Sequence, residues 1–316
     1  MMMKTLGMLL LTSAMTAGLA ACGEQAKTDN DTTSGAATQD SSVAEQSDQT
    51  ASDSTSASIP SLTELWVTDG FAAPEGVTLS ADGGFYYVSN VNGGGSDVDN
   101  NGFISKMSLD GDISDLDWIT GLNAPKGMAL HDGKLYVSDI VSLVVIDAER
   151  GAVIDTIPMQ DSSFLNDVTY VPGHGILVSD SGTATIYQYN DGVPSVWMQD
   201  ERLARVNGLL AHDGALLVAA MEAGELLSVD LQTKEITLIA GGMENADMMA
   251  PLDNGGYLVS SWPGIIHYVS PEGERMTVQD TVDLPVNMND FTMNGDVLVT
   301  PNWRPGTVRA YRVDMP

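Results

Sequence analysis

"KLYVSD" (residues 134–139) is one of six related stretches, and the spacing between them decides the fold. The others are "FYYVSN" at 85, "GILVSD" at 175, "ALLVAA" at 215, "GYLVSS" at 256 and "DVLVTP" at 296. Their shared valine falls at Val88, Val137, Val178, Val218, Val259 and Val299, at intervals of 49, 41, 40, 41 and 40 residues. A fixed period near forty residues, built on a short β-branched strand, predicts an all-β propeller with six blades.

Each unit has the same internal order. A first strand ("EGVTL" at 75, "KGMAL" at 126, "NDVTY" at 166, "NGLLA" at 207, "DMMAP" at 247, "NDFTM" at 289) leads to an Asp-Gly, Asn-Gly or paired-Gly turn. Such turns suit tight hairpins. The valine strand follows, then a third strand such as "FISKMSL" or "TIYQYN", and in most units a fourth such as "LDWITGL" or "PSVWMQD". The sixth unit runs out at Pro316 after its third strand. The stretch "ELWVTDGFAAPEG" from Glu64 mirrors "LDWITGLNAPKG" from Leu116. The N-terminal strand is therefore expected to complete the last blade, so that residues 61–316 close into a ring of four-stranded antiparallel blades with no open edge.

Ahead of the repeats, "MMMKTLGMLLLTSAMTAGLAAC" has a Lys, an interrupted apolar run and small residues before Cys22. It is too short and too polar to span a bilayer, and it reads as a signal peptide over residues 1–21. Leu19-Ala20-Ala21-Cys22 resembles the bacterial lipobox, which implies that Cys22, the one Cys of the chain, is lipidated. Gly23 after it resembles the sorting pattern for the outer membrane, facing the periplasm. Residues 22–60, rich in Ser, Thr, Asp and Gln, read as a disordered tether with a reach of about 35 Å. The membrane is then a partner through the lipid anchor only. The chain carries a formal net charge of −30. Seven acidic and two basic residues lie ahead of the propeller, which leaves the propeller near −25. That balance argues against nucleic acid as a partner and favours cations.

In a propeller the first strands line the central channel and start on one face. Aligned, those starts are Glu75, Lys126, Asn166, Asn207, Asp247 and Asn289, each polar and each before an apolar run. Oxygens of Glu, Asn and Asp converging at one mouth suit a hard divalent cation such as Ca²⁺. At these positions the sequence resembles the senescence-marker-protein/gluconolactonase (regucalcin-like) family of six-bladed propellers. The resemblance implies that Glu75 in "PEGV", Asn207 in "VNGL" and Asp247 in "ADMM" hold one divalent metal, that Asp247 is the general base, and that Asn166 in "LNDV" contacts substrate or metal-bound water. It implies a metal-dependent hydrolase of lactones or related small esters. The alternative is a non-catalytic propeller of the cell envelope that binds a ligand or a protein, since propellers host many functions.

Two features depart from the family pattern. Lys126 faces the same mouth, where it either points away, pairs with Glu75 in place of a cation, or binds substrate. Met248 follows Asp247 where the family has Gly, so the local turn is expected to differ. Asp167 and Asp290, next to Asn166 and Asn289, are further candidates to reach the channel. His131, His174 and His212 fall in turns on the opposite face, and His267 in a third strand. Met243, Met248, Met249 and Met288 read as core filler. The long first interval marks an insertion over residues 91–102, "VNGGGSDVDNNG", between the second and third strands of blade one. Strand alternation puts it on the mouth face. It reads as a polar flap, with Asp97, Asp99 and Asn101 as a second cation site if they bind one. The helix-loop-helix calcium pattern is not completed, because its last ligand position is Ser108.

Overall fold

The computed structural model describes residues 59–316. The signal peptide, Cys22 and the tether up to residue 58 lie outside the described residues. The first strand, β1 (Ser61–Asp69), pairs with the last, as the repeat arithmetic requires. Blade one is β2 (Pro74–Leu79), β3 (Phe85–Asn90), β4 (Gly102–Ser108) and β5 (Ile113–Leu122). Blade two is β6 (Pro125–His131), β7 (Lys134–Asp139), β8 (Ser142–Asp147) and β9 (Ala152–Pro158). Blade three is β10 (Leu165–Val171), β11 (Gly175–Asp180), β12 (Thr185–Asn190) and β13 (Val193–Gln199). Blade four is β14 (Val206–His212), β15 (Ala215–Ala220), β16 (Glu225–Asp230) and β17 (Ile236–Ala240). Blade five is β18 (Ala246–Pro251), β19 (Tyr257–Ser261), β20 (Ile265–Val269) and β21 (Arg275–Asp280). Blade six is β22 (Thr292–Asn294), β23 (Val297–Asn302), β24 (Thr307–Asp314) and β1, in that order outward.

Every blade is an antiparallel four-stranded sheet, so the fold is the expected six-bladed propeller. Blade six departs in one detail: its inner strand begins at Thr292, and Asn289 and Asp290 precede it as irregular chain. The ring is closed by the β1–β24 ladder, where Arg309 pairs with Glu64 at 2.7 Å and Thr63 donates to Asp314 at 2.8 Å.

The core follows from the strand period of two. The repeated valine is completely buried in all six blades. Each such side chain contributes about 1.5–3 kcal/mol relative to exposure. Six apolar clusters fill the six spaces between neighbouring blades, one of them between blade six and blade one. Met243, Met249 and Met288 are fully buried in these clusters, as filler should be.

His267 on β20 is buried, with Nδ1 3.4 Å from the Arg275 guanidinium. Burial first, and then the Arg275 charge, push its pKa down from 6.5 to about 4, against an opposing pull from Asp280. Between those values the unfolded chain takes up a proton that the folded chain refuses. The stability tied to His267 is present above pH 6.5 and is lost as pH falls towards 4. Thermal melts of His267→Leu are expected to lose less stability between pH 7 and pH 4 than those of the wild type.

Candidate functional site

The inner strands present their first polar residue through a bulge. In blade one Pro74 pairs with Asn90 but Val77 pairs with Val88, so three steps on β2 answer two on β3. The same shift occurs at Pro125/Met128, Leu165/Val168, Val206/Leu209 and Ala246/Met249. The extra residue re-aims a side chain that strict alternation would send elsewhere. Glu75, Lys126, Asn166, Asn207 and Asp247 all sit in these bulges.

The second strand holds the bulge in place. Ser89 Oγ accepts the Gly76 N–H at 2.8 Å, Ser179 Oγ accepts Asp167 N–H at 2.8 Å, and Ser260 Oγ accepts Met248 N–H at 3.0 Å. The Asn or Asp that follows caps the chain entering the inner strand. Asn90 Oδ1 accepts from Ala72 N–H, and Asp139 accepts from the Asn123 and Ala124 N–H groups. Asp180 accepts from Ser163, Phe164 and Gly182 N–H and from the Thr183 hydroxyl. The bulge at Asp247-Met248 matches the glycine-containing ones, so the altered turn expected from Met248 does not occur. Glycine is needed instead where blades meet: a Cβ on Gly76 would stand 2.7 Å from the Lys126 carbonyl oxygen, and one on Gly127 would overlap Asp167.

All six aligned residues line one cavity of about 380 Å³ at the channel mouth. Glu75, Lys126, Asn166, Asn207, Asp247 and Asn289 are each at most 6% exposed. Asn207 Nδ2 donates to Asp247 Oδ1 at 2.8 Å, and Asn166 Nδ2 donates to Ser181 Oγ at 3.2 Å. Three acceptors of this set have no partner: Glu75 Oε2, Asn166 Oδ1 and Asn207 Oδ1. A buried unpartnered acceptor costs about 1–3 kcal/mol. The set fits a hard cation, whose ligands would be these oxygens and the Asp247 carboxylate. Asn289 differs, because its Oδ1 accepts the Trp303 N–H at 3.2 Å. Among the described residues no three His, Cys, Asp or Glu side chains cluster as a metal site, so a cation here needs the asparagine oxygens.

Asp167 and Asp290 do not line the mouth. They face a smaller cavity of about 160 Å³ deeper in the channel. Both oxygens of Asp167 are used, accepting from Val168 and Leu209 N–H at 2.7 Å each, whereas Asp290 Oδ1 is unpartnered. Four carboxyls thus share one pore. Burial, then the Asp247 charge, push Glu75 well above the usual carboxylate range against the pull of Lys126. Burial and Asp167 push Asp247 up to about 8 against Arg205. Burial pushes Asp167 up to about 7, restrained by its two backbone donors. Asp290 is raised well above its ordinary value by burial, then by Asp167, Glu75 and Asp247.

Lys126 resolves in favour of the mouth. Its Nζ donates to the Ala124 carbonyl at 3.1 Å and lies 4.4 Å from the Phe164 ring centroid. It makes no direct salt bridge with Glu75 and acts on it through its charge alone, so it replaces a cation only in part. Burial lowers its pKa against the pull of Glu75 and Asp139. The loop of residues 91–101 rises on the mouth face as expected, and Gly95 reaches the cavity wall. Its acids are exposed and engaged within the loop: Asp97 accepts Gly94 N–H at 2.7 Å, and Asp99 accepts from the Asn101 side chain at 2.6 Å. His131, His174 and His212 lie at the far ends of the inner hairpins, away from the mouth.

The mouth also contains residues that the alignment of first strands did not single out: Phe164, Ser181, Arg205, Met221, Trp262 and Trp303. Four of them, Ser181, Met221, Trp262 and Trp303, follow directly on the last residue of a second strand. Aligning the repeats three or four residues past the shared valine would have found them.

No family model matches the chain, and no curated protein matches it. Among solved structures, the chain is similar to a streptogramin B lyase (TM-score 0.60, 13% identity, 81% of this chain and 98% of that one). It is similar to a catalytically inactive histidine-to-alanine variant of virginiamycin B lyase from Staphylococcus aureus, crystallised with quinupristin (TM-score 0.58, 12% identity, 80% and 99%). It is also similar to a candidate gluconolactonase (TM-score 0.60, 18% identity, 81% and 93%). At these identities the likeness establishes the propeller fold, which the resemblance to gluconolactonase-like proteins implied.

Two consequences can be measured. Asp180→Ala removes the acceptor of three part-buried backbone N–H groups beside the mouth and is expected to cost about 1–3 kcal/mol in denaturant unfolding. In the presence of a chelator, Asp247 keeps its proton in the fold up to about pH 8, whereas the unfolded chain releases it near 3.8. The stability tied to that proton is complete below pH 3.8 and is lost as pH rises through about 8. Asp247→Asn should therefore flatten the decline in melting temperature between pH 5 and pH 9.

Proposed function

We propose that the channel mouth is the site of a divalent-metal-dependent hydrolase acting on lactones or related small esters. The observation that carries this reading is the set of buried, unpartnered oxygens of Glu75, Asn166 and Asn207 around the Asp247 carboxyl. Glu75, Asn207 and Asp247 would hold the cation, probed first as Ca²⁺. Bound there, the cation would polarise an ester carbonyl and lower the pKa of a water molecule. The chain's own contribution is then positional. Asp247, oriented by the Asn207 amide, is the candidate base for the attacking water. Asn166, anchored to Ser181, presents its oxygen to substrate. Lys126 at the floor and Arg205 on the wall bring positive charge to the mouth, where a carboxylate product would form.

The similar lyase is represented by a variant inactivated by loss of one histidine. Among the described residues no histidine lines the mouth, which sets this site apart from that lyase and favours the hydrolase reading. The lipobox-like Cys22 and the tether support a placement on the envelope, with the propeller held off the membrane and facing the periplasm.

Saturating Ca²⁺ is expected to raise the melting temperature of the wild type by about 5–10 °C, the size expected at a hundredfold excess over Kd for a domain of this length. Asp247→Ala should abolish that shift and lower lactone hydrolysis at least a hundredfold. No shift with any divalent ion would remove the metal site. An Asp247-dependent shift without hydrolysis across a lactone panel would favour a binding propeller.

A further inference from the structure

The walls of the mouth differ in character from its floor. The oxygens lie at the inner-strand starts, while the cavity above them is framed by Phe164, Met221, Trp262 and Trp303. Trp262 is 41% exposed and lines the cavity. Trp262 and Trp303 come from the equivalent turns of blades five and six, "SWPG" (261–264) and "NWRPG" (302–306). Both turns are tied down. Trp262 N–H donates to the Asn245 carbonyl at 3.0 Å, and Trp303 N–H donates to Asn289 Oδ1. Asn287 links the two turns, its Nδ2 donating to the Pro263 carbonyl and its backbone N–H to the Arg304 carbonyl, each at 3.0 Å. Behind Trp303 lies a small apolar cluster of Val91, Ala124 and Ile140. The backbones that carry both indoles are therefore fixed before any ligand arrives, and the Trp303 ring is packed as well, which lowers the entropic cost of stacking there.

On this basis we infer that the mouth selects a lactone or ester carrying a flat aromatic or apolar group, rather than a polyhydroxylated sugar lactone. The inference rests on the reading of this site as a lactone site and specifies its substrate class. With the carbonyl over Asp247 in blade five, the rest of the molecule lies against the blade-five and blade-six indoles. Aromatic stacking there is expected to tighten binding about two- to tenfold beyond burial of area. A sugar lactone would bring several hydroxyls to a wall framed by Phe164, Met221, Trp262 and Trp303, where Ser181 and Arg205 are the polar side chains above the floor, so that part of its hydroxyls would be desolvated without a partner. Apolar pockets reject an added hydroxyl by only about a hundredfold, so the preference should fall between ten- and a hundredfold.

The test separates binding from turnover. Two lactams, which resist hydrolysis, serve as probes by calorimetry: 3,4-dihydro-2-quinolinone for the aryl class and glucono-1,5-lactam for the sugar class. The aryl lactam is expected to bind at least tenfold tighter. Trp262→Ala and Trp303→Ala should each weaken it at least threefold while moving the sugar lactam less than twofold. Trp262 is partly exposed and lies outside the six main clusters, so its variant reports even if Trp303→Ala does not fold. Equal or tighter binding of the sugar lactam, no binding of either, or indifference to Trp262→Ala would overturn the inference. Turnover of 3,4-dihydrocoumarin and glucono-1,5-lactone is measured in parallel with and without Ca²⁺. Tight aryl-lactam binding with no turnover would leave the selectivity standing and remove the hydrolase reading.

Discussion

The hydrogen bond that the bulge of the inner strand donates to the second-strand serine is the interaction on which the mouth depends. A bulge leaves one backbone N–H outside the ladder, and that group lies beside a narrow channel. In blades one, three and five the serine after the buried valine satisfies it. The neighbouring Asn or Asp then caps the incoming chain in the first three blades. In blades one and three a single tripeptide, Val-Ser-Asn or Val-Ser-Asp, thus does three jobs in sequence: it fills the core, fixes the bulge and anchors the entry loop. The bulge in turn aims the polar residue at the channel. Fold and site are consequences of the same repeat.

Convergence of those residues creates an electrostatic problem. Four buried carboxyls around one pore cannot all be ionised without large mutual repulsion, and burial alone disfavours the charge. Two solutions exist: retain protons, or bind a cation. Lys126 supplies the second only in part, because its ammonium pulls on Glu75 from a distance while it is turned to the Ala124 carbonyl and the Phe164 ring. Asp167 is partly exempt, since two backbone N–H groups stabilise its charge. The burden falls on Glu75, Asp247 and Asp290, two of which keep a bare oxygen.

The repeat made the ring, its closure by β1 and all six mouth positions legible in the sequence, because periodicity and strand direction suffice to place them. The limits were equally physical. Asp167, on the other side of its bulge, and Asp290, in the irregular chain before β22, lie one residue further along and face the deeper chamber. Without knowledge of the bulge, their depth could not be read. The direction of Lys126 depends on Phe164, which comes from the loop of the next blade and has no fixed offset from it. The aromatic wall escaped notice because the valine alignment was read inward to the channel, not outward to the loops that follow each second strand.

Blade four shows how the motif can be lost. It carries Ala219 and Ala220 in place of Ser and Asp, so neither capping interaction can form from its second strand. The inner strand is instead held from outside the blade: Asp167 Oδ2 accepts the Leu209 N–H at 2.7 Å. Asp167 occupies the bulge position that holds glycine in blades one, two and four, and it packs against Gly127, where a side chain would overlap it. The departures at 167, 219 and 220 and the glycine at 127 therefore form one unit. Asp167 reads as a channel acid in sequence, but in the fold it is first a clamp between blades three and four. Restoring Ser at 219 would not by itself replace that clamp, since serine caps the residue before Leu209 in the bulge.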